Sequence, residues 1–123
     1  MARHEQLERL LEDLAKSPGV LGAAILSRDG LSVKAVGHQE LARETFSAMS
    51  ATIYGAAEIA LGELDSTHLR HIIAQTDRVK VIMLGATTDL LLVIYAQADA
   101  ALEPLLQRAV AAAGTVAPVI IEG

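Results

Sequence analysis

Four histidines, His4, His38, His68 and His71, are the first residues to test for catalysis or metal binding. His68 and His71 stand three apart in a stretch that reads as a strand, where such a spacing sends two side chains to opposite faces. They therefore make a poor metal pair, and a polar edge strand is the simpler reading. The carboxylates pair no better. Glu12 and Asp13 diverge on a helix, and Glu58 and Glu63 are five apart. Asp29, Asp65 and Asp77 sit at turns or helix ends, so no two acids hold the spacing that acid–base hydrolysis needs. Ser27, Ser47, Ser50 and Ser66 lie in no G-x-S-x-G elbow and beside no evident histidine base. The glycines form neither a P-loop nor a G-x-G-x-x-G turn. Cysteine is absent, which removes thiol catalysis, disulfides and Cys-ligated zinc together. No enzyme activity, metal or cofactor is expected from these residues.

The elements that would carry these residues can be traced in order. Residues 2 to 16 read as a helix, with Leu7, Leu10, Leu11 and Leu14 on one stripe and charges on the other sides. Ser17-Pro18-Gly19 stops it. Residues 20 to 38 read as a β-hairpin turning at Arg28-Asp29-Gly30, where Asp-Gly suits a tight reversal. Its second strand alternates Leu31, Val33 and Ala35 with Ser32, Lys34 and Val36. The small Gly22, Ala23 and Ala24 would let a helix approach closely, or line a ligand pocket between layers.

Residues 40 to 64 read as the longest helix. Phe46, Met49, Ile53, Ala56, Ala57, Ala60 and Leu64 trace one apolar stripe, expected to face the sheet. A second side, with Ser47, Ser50, Thr52, Tyr54, Gly55, Glu58 and Gly62, is small and almost uncharged. Either this side contacts another helix across a chain boundary, or the whole helix is buried under its own sheet. The contact is the expectation. Glu58 then either accepts a hydrogen bond across a symmetric contact or sits at its rim, since a buried charge needs a partner. Thr67 to Thr76 reads as a polar strand with His68, Arg70 and His71, and charge blunts an exposed edge. Val79 to Leu84 and Leu90 to Ala96 follow as strands, the second apolar enough for the centre of a sheet. A last helix spans 99 to 113, with Asp99 as N-cap and Gly114 as stop. Residues 115 to 123 fit either a short edge segment or a surface stretch.

Three helices and five antiparallel strands make one α+β domain over residues 1–123. Net charge is −5, and the ten Lys and Arg are scattered, a poor footprint for nucleic acid. No apolar stretch approaches the roughly 20 residues that span a bilayer, and no signal peptide is evident. A cytoplasmic location without membrane insertion is expected. Hydrophobic residues make up 52% of the chain and charged residues 20%, so apolar area is in excess and some of it calls for a partner.

With this pattern complete, the chain resembles the roadblock / dynein light chain family. The N-terminal amphipathic helix, Ser17 to Leu31 (SPGVLGAAILSRDGL), the small-residue helix from Leu41 to Leu64, and Asp89 to Ala96 (DLLLVIYA) carry the likeness. The resemblance implies a profilin-like three-layer fold with strand order second, first, fifth, fourth, third. The long helix would lie on one face and the terminal helices on the other. It implies a two-fold homodimer in which third strands pair edge to edge and long helices pack side by side. On this chain the implied interface is Ser47, Ser50, Ala51, Tyr54 and Glu58 on the helix, with His68, Arg70 and Ile72 on the strand. Prokaryotic members often bind or regulate small Ras-like GTPases, some resembling a polarity-control protein, and Arg43, Glu44, Ser47, Tyr54 and Glu58 would meet such a partner. A regulator or scaffold of a small Ras-like GTPase is the resulting expectation. The alternatives are a ligand-sensing or purely structural domain of profilin-like fold.

Overall fold

The computed structural model describes residues 3–65 and 68–122. Helix α1 (Arg3–Ala15) leads into a hairpin of β1 (Val20–Ser27) and β2 (Ser32–Gly37). A 3-10 turn (Gln39–Ala42) opens the long helix α2 (Glu44–Leu64). Strands β3 (His71–Gln75), β4 (Val79–Gly85) and β5 (Leu90–Gln97) follow, and α3 (Leu102–Glu122) closes the chain. The sheet runs β2-β1-β5-β4-β3 with every neighbouring pair antiparallel, the expected order.

Alternation along the central strands divides the interior in two. Ala23 and Ile25, Ile82 and Leu84, and Leu92 and Ile94 point to one face. There Leu7, Leu11 and Leu14 of α1 and Leu105, Ala109 and Val116 of α3 cover them. Ala24, Leu26, Met83, Leu91 and Val93 point to the other face, beneath Leu41 and Tyr54. The apolar run of β5 is central, as expected, and buried on both faces from Leu91 to Ile94.

Three local expectations are corrected. Strand β2 does not alternate cleanly, because its pairing with β1 shifts between Ile25 and Leu26. This bulge turns Val33 to the same core as Val36, and only Ala35 joins the α2 side. The polar third strand is shorter than Thr67–Thr76. His68 and Arg70 precede it, and both are exposed. The last helix begins after Asp99 and does not stop at Gly114. It continues through Pro118 to Glu122, so residues 115 to 122 form neither an edge segment nor irregular coil. Val116 is fully buried, and Val119 and Ile120 pack on the same core. That burial outweighs two residues that disfavour helix interiors, since propensity is a weak prior beside tertiary packing.

Candidate protein-binding surface

Among the described residues no group of His, Asp or Glu could hold a metal ion. Nor do Gly22, Ala23 and Ala24 line a pocket. Ala23 and Ala24 are fully buried, and a Cβ on Gly22 would stand 2.7 Å from Leu41 Cδ1. The space that small residues leave over β1 is filled by the chain's own 3-10 turn.

What the fold does present is α2. The hairpin turn approaches it so closely that a Cβ on Gly30 would lie 2.9 Å from Ala48 Cα, and Gly30 has φ +90°. Glycine is required there on both counts. Ser47 and Ser50 are buried, at 0% and 2% exposure, and face the sheet. Tyr54 is buried with them. Its hydroxyl accepts from the Gly85 amide at 3.1 Å and donates to the Leu69 carbonyl at 3.3 Å, tying the helix to both ends of the β3–β4 region. Burial pushes the Tyr54 pKa above its ordinary value, against the lowering effect of the Gly85 bond and the nearby Arg28. The Arg28 guanidinium lies 5.1 Å from the Tyr54 ring centroid and bonds Glu58 Oε1 at 2.6 Å. Arg28 is held in turn by its own amide, which donates to the Asp89 carbonyl.

The sequence-based assignment of the two helix sides is therefore reversed. Of the small polar side, Ser47, Ser50 and Tyr54 face the sheet, where small hydroxyls allow close approach and Tyr54 finds partners, while Thr52 and Gly62 are exposed. Ser47, Ser50 and Tyr54 lie inside this chain, so they cannot form the surface of a seam or touch a partner. Glu58 is half-buried and pairs with Arg28 within the chain. Ala51 is half-buried, and Arg43 and Glu44 are exposed at the start of α2. Arg43 N-caps the helix and pairs with Glu40 at 3.1 Å.

Most of the apolar stripe expected to meet the sheet faces outward, while Phe46 at its start packs on the α2-side core. Met49 is 54% exposed, Ile53 47% and Leu64 84%, with Ala56 and Ala60 along the same side of the helix. Ile59 and Leu61 extend the apolar area. Neither side of α2 carries the charges that mark a solvent face, so periodicity alone does not tell the inner side from the outer, and Ile59 lies off the stripe that the sequence traces. Arg28 was read only as a turn residue. Strand β3 is an edge strand, as expected, with Ile72 half-buried on the α2 side.

A sequence model of the Roadblock/LC7 domain matches residues 6–96. The chain belongs to the Roadblock/LC7 family. An uncharacterised protein of Methanocaldococcus jannaschii is 26% identical over 88 residues, 72% of this roadblock chain and 77% of the relative. Among solved structures, MglB with a tetrameric arrangement superposes with a TM-score of 0.88 at 19% identity, covering 99% of this chain and 93% of that one. The gliding protein MglB of Thermus thermophilus gives 0.87 at 20% identity, covering 100% and 94%. At such identities these likenesses establish the roadblock fold and nothing finer. No helix among the described residues is long and apolar enough to cross a membrane.

Proposed function

We propose that this chain is a non-enzymatic, homodimeric protein-binding module that regulates or scaffolds a small Ras-like GTPase in the cytoplasm. The observation that carries the reading is the outward stripe Met49, Ile53, Ala56, Ala60 and Leu64 on a chain whose β3 edge is also unpaired. Large contiguous apolar patches on a soluble chain mark association sites, and a two-fold contact uses the same patch twice. The stripe and the β3 edge with Ile72 form the homodimer seam. Ala51 flanks the stripe, and His68 and Arg70 lie just outside the pairing strand. Ser47, Ser50, Tyr54 and Glu58 act from inside, setting the pose of α2. Arg43 and Glu44, exposed at its start, remain available to the GTPase. Membership of the Roadblock/LC7 family and the tetrameric arrangement named for one MglB support self-association.

Light scattering tests the reading. The wild-type chain has twice the single-chain mass, and Ile53→Asp halves it while circular dichroism stays unchanged. A small Ras-like GTPase from the same genome raises the dimer's mass in one nucleotide state and not the other. A wild-type monomer would remove the dimer, and a dimer indifferent to both nucleotide states would remove the GTPase.

A further inference from the structure

The face of the sheet opposite α2 carries a groove of about 400 Å³ between α3 and the end of the sheet where β3 begins. Alternation places Leu84, and with it His71, on the α1–α3 face, so the groove is remote from the stripe on α2. Leu84 and Leu106 make its apolar floor, and Val110 stands on the α3 wall with 56% of its surface exposed. Among the described residues its ionisable lining is Arg70 and His71. Arg70 forms no ion pair among the described residues. In a chain of net charge −5, this is a local site of unopposed positive charge.

Gly114, on the same wall, adds a third feature. A Cβ there would meet nothing within 4 Å, so the helix backbone is bare on the groove side. The groove thus offers an aliphatic floor, a wall left open at Gly114 and a cation at one end.

We infer that this groove docks a short segment of a partner protein in which an aliphatic side chain stands beside carboxylates. Its volume lies at the small end of the roughly 300–1,000 Å³ typical of ligand sites, enough for a side chain and its flanking backbone. The carboxylate meets Arg70 and His71, and the aliphatic group covers Val110 and Leu84. The groove lies on a face of the sheet, whereas edge pairing of β3 would run in its plane. The inference stands whether or not the proposed dimer does.

Fluorescence anisotropy tests it with a fluorescein-labelled peptide Ser-Asp-Leu-Glu-Leu-Asp-Ser-Gly and a twin carrying Lys at each acidic position. The acidic peptide binds saturably, and the Lys twin binds about tenfold or more weakly, as expected where complementary charge sets specificity. Val110→Asp, a change at an exposed site, weakens the acidic peptide by a similar factor. Arg70→Glu weakens the acidic peptide and strengthens the Lys twin. Equal binding of the two peptides, or indifference to both substitutions, would overturn the proposal. A change in the mass of the chain alone on Val110→Asp would also overturn it, by showing that a second copy already covers the groove.

Discussion

On the α1–α3 face of the sheet, Leu7, Leu11, Ile25, Ile82, Leu92, Ile94 and Val116 are all at or near zero exposure. On the α2 face the buried set is smaller, and the helix meets it with two serines and one tyrosine, while Met49, Ile53 and Leu64 face outward. One face closes nearly all of its apolar area within the chain, the groove beside Val110 apart. The other closes only part and leaves aliphatic side chains facing out on its helix. Hydrophobic burial holds the fold together on the first face, and on the second it remains available for association. Helix α2 is thus fastened to the sheet by the Tyr54 hydrogen bonds and close approach more than by large aliphatics.

Substitutions that treat the two faces alike test this contrast most severely. Leu92→Ala removes a fully buried side chain from the α1–α3 core and should cost about 2–5 kcal/mol in urea unfolding. It should leave the association state of the folded protein unchanged. Ile53→Asp should do the reverse. It should abolish self-association and, for the isolated chain, shift stability by no more than about 0.5 kcal/mol, as exposed sites generally do. Comparable losses of stability from both, at concentrations where only single chains exist, would mean that α2 is closed against its own sheet after all.

The same contrast explains which parts of the fold could be read from residues alone. Helix α1 was legible because Leu7, Leu11 and Leu14 are separated by charges, so only one face could be the inner one. The hairpin and β5 were legible from Asp29-Gly30 and from an unbroken apolar run. The orientation of α2 was not, because both of its sides are uncharged and periodicity ranks residues by apolarity, not by which surface they meet. The long helix and the edge strand were thus placed correctly while the side of the helix was reversed. Residues 115 to 122 were illegible for another reason. Gly114 and Pro118 are local stop signals, and only the packing of Val116, Val119 and Ile120 against residues far away in the chain overrides them.

A smaller effect is expected at Tyr54, where α2 is fastened. Tyr54→Phe keeps the ring and deletes the hydroxyl, leaving the Gly85 amide without its acceptor, at a cost of about 1–3 kcal/mol. The pH dependence gives a second readout. The folded-state pKa of Tyr54 lies above its ordinary 10.0, so the folded chain favours the neutral phenol. The contribution of this group is complete below the unfolded value of 10.0 and is lost as pH rises through the folded pKa, because the unfolded chain ionises first. Unfolding midpoints measured from about pH 8 to about pH 11, a span that brackets the ordinary phenol value, should fall less steeply in Tyr54→Phe than in the wild type. Identical slopes would mean that the hydroxyl is not buried against the sheet.

The smallest effect belongs to the Arg28–Glu58 pair, and it sharpens the comparison because its size depends on what covers α2. In a single chain these side chains are 31% and 38% exposed, so solvent screens them and their coupling should be about 0–1 kcal/mol despite the 2.6 Å contact. Arg28→Ala should cost slightly more than Glu58→Ala, since it also removes the cation from the Tyr54 ring, a contact of about 0.5–1 kcal/mol. A double-mutant cycle on Ile53→Asp, which keeps the chain single, measures the exposed coupling and its loss in salt. The same cycle on the wild-type background measures it with α2 covered. If a second copy packs over the helix near Glu58, water leaves, and the coupling should rise and become less sensitive to salt. Equal couplings in the two backgrounds would place the seam further round the helix, centred on Met49, Ile53 and Leu64 and clear of the pair.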